Sequence, residues 1–136
     1  MARYTVRGIT AVPTVSDGDP DDPTWYPLQH AFGIGTFGVN LFVANRAEQI
    51  LVEEHDERES GQQELYVVLE GRSLFELDRE EVRLDGGTAV AVTDPSVRRS
   101  AKALTQGTKL LVVGAGTAPF VSTWNSRHFC GIPQPE

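Results

Sequence analysis

The 136-residue chain reads as an all-β protein with little helix, and three observations lead there. From Gln49 onward, short apolar runs recur at a spacing of about 8–12 residues, as in antiparallel sandwiches and barrels. Turn signals separate them: Asp78-Arg-Glu80, Asp85-Gly-Gly87, Asp94-Pro95 and Gln106-Gly107. Before that point, Phe37, Val39, Leu41 and Val43 alternate with Gly38, Asn40, Phe42 and Ala44, the period-two signature of a strand. Almost nowhere do apolar residues recur at the helical period. The chain therefore folds as a sandwich or barrel.

In chain order, residues 3–15 alternate loosely and predict one or two short N-terminal strands ending at Pro13. Ser16-Asp-Gly-Asp-Pro-Asp-Asp-Pro23 is an acidic turn-rich loop, in which Gly and Pro forbid a helix. A calcium loop is the sharper reading of its aspartates, but two prolines interrupt it and the closing glutamate of an EF-hand is missing. Trp25–His30 reads as irregular, and a strand follows within Phe32–Asn45. Gly33-x-Gly35 is not a dinucleotide fingerprint, because strand-like residues surround it and no helix follows. Strands are then expected at Gln49–Glu53, Glu64–Glu70, Arg72–Leu77, Glu81–Leu84, Thr88–Thr93, Val97–Leu104 and Lys109–Val113. Together these form one domain over residues 1–136, with a barrel core at about 36–114 and a C-terminal arm over 115–136. Phe120, Trp124 and Phe129 would anchor that arm.

Twelve basic against nineteen acidic residues give a net charge of −7, which argues against nucleic acid or an anionic membrane as partner. No apolar run reaches the ~18 residues of a membrane span, and Met1–Arg7 lacks the apolar core of a signal peptide, so a cytoplasmic location is expected. The one cysteine, Cys130, forms no disulfide within the chain, and no cysteine cluster can hold a metal. His128 and Cys130 offer only two ligands to a terminal metal clip.

Glu64-Leu-Tyr-Val-Val-Leu-Glu-Gly71 resembles the second half of the first cupin motif, G-x5-H-x-H-x3–4-E-x6-G. Phe75-Glu-Leu-Asp-Arg-Glu80, the Asp85-Gly-Gly87 turn, Ala89–Val92 and Leu110-Leu-Val-Val-Gly114 keep the order of a small single-domain cupin. The resemblance implies a jelly-roll barrel of two antiparallel sheets, a ligand held inside the barrel and a homodimer. It also implies a metal held by two histidines, the motif glutamate and a later histidine. The first two histidine positions fall here on Glu57/Glu59 or Arg58/Ser60, and the later one on Arg98, Arg99 or Ser100. A fixed cation at that last position repels a metal and attracts an anion.

A small-molecule-binding barrel without a metal or other cofactor is accordingly favoured, its ligand anionic if Arg98 or Arg99 faces inward. Strand parity points Glu64 and Tyr66 into the barrel, Arg99 is the expected partner of Glu64 across the mouth, and His55 and Phe75 complete the ligand-binding set. Two enzymatic readings stay open. One is a metal-dependent oxygenase, isomerase or cyclase with a divalent transition metal on His55, Glu57 and Glu64. The other is metal-free proton transfer by His55 or Glu64. The remaining reading is a regulatory or structural module whose barrel is filled by side chains.

Overall fold

The computed structural model describes residues 3–16 and 18–116. Among the described residues nine strands form two antiparallel sheets. They are β1 (Thr24–Tyr26), β2 (Gly38–Val43), β3 (Ile50–His55), β4 (Gln63–Glu70), β5 (Arg72–Leu77), β6 (Glu80–Asp85), β7 (Thr88–Val92), β8 (Arg99–Ala103) and β9 (Lys109–Ala115). The five-stranded sheet has the order β1-β2-β9-β4-β7 and the four-stranded sheet β3-β8-β5-β6. Neighbours in sequence thus lie on opposite sheets in several places, the double-wound arrangement of a jelly roll.

The inner faces of both sheets meet in one apolar core. Tyr66 and Val68 of β4, Phe75 of β5, Leu84 of β6, Ala101 and Ala103 of β8, and Leu110 of β9 are all buried there. Tyr66 and Phe75 touch edge to face, with ring centroids 5.3 Å apart. A second cluster lies outside the barrel, where Val12, Leu28 and Ala31 cover Leu41, Val39 and Val43 of β2. Both faces of β2 are therefore covered, which explains why both parities of Phe37–Ala44 carry large apolar residues.

Gly71 closes the β4–β5 turn at φ +82°, and a Cβ there would lie 2.5 Å from Thr108 Oγ1 and 2.9 Å from Thr108 Cα. The glycine ending Glu-x6-Gly is thus required twice over, by backbone conformation and by close packing.

Three local expectations need correction. Residues 3–15 form no strand: the segment has a 3-10 turn at Ile9–Ala11 and one isolated bridge from Val15 to Trp25. It buries Val12 and Val15 individually, while Tyr4 and Val6 stay exposed. Trp25–His30 is not irregular, because it holds β1 and a five-residue helix, α1 (Leu28–Phe32). Pro27 stands at the helix N-cap and Gly33 stops the helix at φ 69°, and one turn is too short to show a period. The strand within Phe32–Asn45 consequently begins only at Gly38. Phe120, Trp124, His128, Phe129 and Cys130 lie outside the described residues. Among the described residues no helix is long and apolar enough to cross a membrane.

Candidate functional site

The mouth of the barrel gathers ionisable groups from three strands and a loop. Glu64 is the second residue of β4, and parity puts it on the same inner face as Tyr66, whose hydroxyl donates to Glu64 Oε1 at 2.6 Å. Arg99 begins β8 on the opposite sheet and donates through Nη1 to the same oxygen at 2.8 Å. The Arg99 side chain is wholly buried and that of Glu64 nearly so. Arg99 Nη2 donates to the Asp94 carbonyl at 3.3 Å, while its Nε, also buried, has no partner among the described residues. Arg98, one position earlier, points out of the barrel, half-exposed beside Glu54 and Asp56.

His55 ends β3 opposite Arg99, after register shifts between Ile50 and Val52 and between Val52 and His55. These bulges re-aim the strand end toward the mouth. His55 Nδ1 lies 2.8 Å from the Glu53 carbonyl, so Nδ1 carries a proton and Nε2 faces the carboxylates. Nε2 is 3.1 Å from Glu57 Oε1 and 3.6 Å from Glu64 Oε1. The chain between His55 and Glu64 is longer than the motif allows, yet it brings the groups together. Glu57 N–H donates to the Pro95 carbonyl at 2.9 Å, and Gly61 N–H closes a turn onto the Glu57 carbonyl at 2.7 Å. That turn absorbs the extra residues.

Burial is the largest influence on Glu64 and pushes its pKa up, but the hydrogen bonds from His55, Tyr66 and Arg99 together outweigh it and hold the carboxyl below its usual range. His55 is raised, chiefly by its hydrogen bond to Glu64 and against the opposing pull of burial. Tyr66 is pushed far up by burial and then by the adjacent carboxylate, so its phenol stays protonated as a donor.

Ligand atoms of His55, Glu57 and Glu64 all lie within 4.8 Å of one another, the one such group of three or more among the described residues. Two features of the donor set weigh against a divalent metal there. Glu64 Oε1 already accepts two short hydrogen bonds, and an ion on these groups would sit against a buried guanidinium that cannot lose its proton.

The structure thus unites Glu64, Tyr66, Arg99, His55 and Glu57. Phase of the strand also buries Phe75 completely beneath Tyr66, in the core rather than at the mouth. Sequence reasoning missed the carbonyls of Asp94 and Glu53, which hold Arg99 and His55; backbone acceptors leave no mark in a sequence.

Solved structures repeat this architecture. A cupin protein from Bacteroides fragilis aligns over 99% of this chain and 100% of its own, with a TM-score of 0.66 and 15% identity. The fold is that of a cupin. A sugar phosphate isomerase of the cupin superfamily from Silicibacter pomeroyi aligns over 88% of this chain and 83% of its own, with a TM-score of 0.67 and 20% identity. KdgF from Halomonas sp. aligns over 76% and 86%, with a TM-score of 0.61 and 18% identity. No family model matches the chain, and no curated protein matches it in sequence. At these identities the likeness is one of fold, and cupin barrels carry many chemistries.

Proposed function

We propose that this cupin binds a small polar molecule at the barrel mouth without a metal, over the floor made by Glu64, Arg99 and Tyr66. His55 and Glu57 are the groups such a ligand meets, since their side chains are 36% and 19% exposed and stand above the buried pair. The observation that carries this reading is the buried Arg99 guanidinium on Glu64 Oε1 at 2.8 Å. An anionic ligand was expected for an inward arginine. The arginine is inward, but Glu64 meets its charge, and protonated His55 is met by Glu57 in the same way. The mouth therefore holds balanced pairs, which suit hydroxyl and carbonyl oxygens better than a free anion.

Elemental analysis of protein purified without a tag tests the metal-free claim. The expected result is no stoichiometric transition metal. Stoichiometric iron, manganese, nickel or zinc that disappears in Glu64→Ala overturns it. A ligand panel of sugars and sugar phosphates, suggested by the isomerase likeness, then tests occupancy of the mouth by thermal shift.

One observation favours a second reading, proton transfer on the bound molecule. His55 has a proton on Nδ1 fixed by the Glu53 carbonyl, a raised pKa and an open face, the properties of a general acid near neutral pH. A homodimer is also proposed, supported by the apolar outer face of the five-stranded sheet.

A further inference from the structure

Arg3-Tyr-Thr-Val-Arg7 has the alternation of a strand, yet within one chain it pairs with no strand. Among the described residues its backbone neither donates to nor accepts from any other backbone group. Tyr4 and Val6 are 81% and 85% exposed. In an extended chain these two side chains fall on one side, and Arg3, Thr5 and Arg7 on the other. One apolar and one basic side is the pattern of a strand that lies on an apolar surface and turns its other face to water.

Such a surface begins where the segment leaves the protein. Val12, a little further along the chain, is buried in the cluster that covers β2 from outside, and Leu111 of β9 packs against that cluster. Leu111 stands beside Val67 of β4 in register, and Val67 lies between Leu65 and Leu69, each 41% exposed. Leu65, Val67 and Leu69 recur along β4 at about 6.7 Å, and Tyr4 and Val6 have the same repeat when extended. None of these three β4 positions carries a charge, so they match the Tyr4 and Val6 side of the segment rather than its arginines.

We infer that residues 3–7 of each subunit lie across the outer sheet face of a second copy, with Tyr4 and Val6 against the partner's Leu65, the partner's Val67 and the partner's Leu69. Arg3 and Arg7 then remain in water. The inference rests on the homodimer proposed above and names the element that completes its contact. A subunit's own segment leaves its own stripe open, since Tyr4, Val6, Leu65 and Leu69 are all exposed in the single chain. The exchange is two-fold: each stripe receives the other subunit's segment, and no free segment is left to recruit a third copy. The alternation of residues 3–7, which has no use within one chain, acquires one in the pair.

Sedimentation of the full chain reads the contact. Tyr4→Ser with Val6→Ser is expected to raise the dimer dissociation constant about a hundred-fold, because two large apolar side chains lose their burial. Both side chains are exposed in the single chain, so the variant keeps the circular dichroism spectrum of the parent. Arg3→Ser with Arg7→Ser leaves the constant within about three-fold. Nuclear Overhauser contacts in mixed dimers of isotope-labelled and unlabelled subunits identify the occupant. The methyl groups of labelled Leu65 and Leu69 are expected to contact the ring of Tyr4 of the partner subunit. Contacts to Tyr4 of the same subunit, or to Trp124 or Phe129 in its place, overturn the inference. A larger loss in the arginine variant than in the Tyr4 and Val6 variant overturns the assigned face. A dimer that Leu65→Lys with Leu69→Lys breaks, but that Tyr4→Ser with Val6→Ser leaves intact, keeps the dimer and removes the segment from it. A parent that is monomeric at every concentration overturns both together.

Discussion

At the scale of single residues, the molecule turns on one oxygen, Glu64 Oε1, which accepts from Tyr66 and Arg99 and faces His55. Removing the carboxylate in Glu64→Ala strands a wholly buried guanidinium, and the expected loss in urea unfolding is about 3–5 kcal/mol. Replacing both partners, as in Glu64→Leu with Arg99→Met, removes the stranded charge and is expected to restore stability to within about 1 kcal/mol of the parent. Equal losses in the single and double variants would show that packing, not charge, sets the cost. The pH dependence follows from the two shifts. Glu64 is lowered, so its contribution is complete above the unfolded value of about 4.3 and disappears as pH falls through its folded value. His55 is raised, so its contribution is complete below about 6.5 and disappears as pH climbs through its folded value. Stability from this cluster therefore peaks at about pH 4.3–6.5. Glu64→Gln should remove the acid limb of that profile and flatten the alkaline one, read by thermal melting across pH. An unchanged acid limb would assign it to other carboxylates.

At the scale of elements, β4 shows what the sequence displays and what it hides. Its alternation put Glu64 and Tyr66 on the inner face, and Arg99 across from them followed from strand order; the three side chains meet there. Strand bounds from β4 to β9 were legible to within about two residues, because Gly and Asp turns mark their ends and each strand has a clear period. The segments before β2 were not legible. There, single residues such as Val12, Leu28 and Ala31 plug the outer face of a sheet, and a plug has no period. The approach of His55 to Glu64 was hidden for a related reason: bulges in β3 and a turn at Glu57–Gly61 change the reach of the chain without changing its composition. Gly71 gives this scale its prediction. Gly71→Ala must hold φ near +82° and push Thr108 away, so the expected loss is about 3 kcal/mol with the fold retained. A loss under about 1 kcal/mol would mean that the β4–β5 turn relaxes freely.

At the scale of the whole molecule, the five-stranded sheet has an outer face that the described residues do not finish covering. Helix α1 and Val12 cover β2, but beyond them Leu111 and Val113 of β9 run into Leu65, Val67 and Leu69 of β4 and Ala89 and Ala91 of β7. Leu65 and Leu69 are each 41% exposed, on a strand whose other face forms the core. A strand apolar on both faces is the mark of a sheet covered on both sides. The outer apolar stripe continues across neighbouring strands in register, Leu65 beside Val113 and Ala91, Val67 beside Leu111 and Ala89. A flat, self-matching stripe of this kind suits a two-fold contact, in which the same residues serve both subunits. The chain is expected to sediment as a dimer at micromolar concentration. Leu65→Lys with Leu69→Lys should produce a folded monomer, because each lysine would place a charge at the centre of the contact while leaving the barrel interior untouched. A parent that sediments as a monomer at every concentration would sink the dimer, and an unchanged dimer in the lysine variant would move the contact to another face.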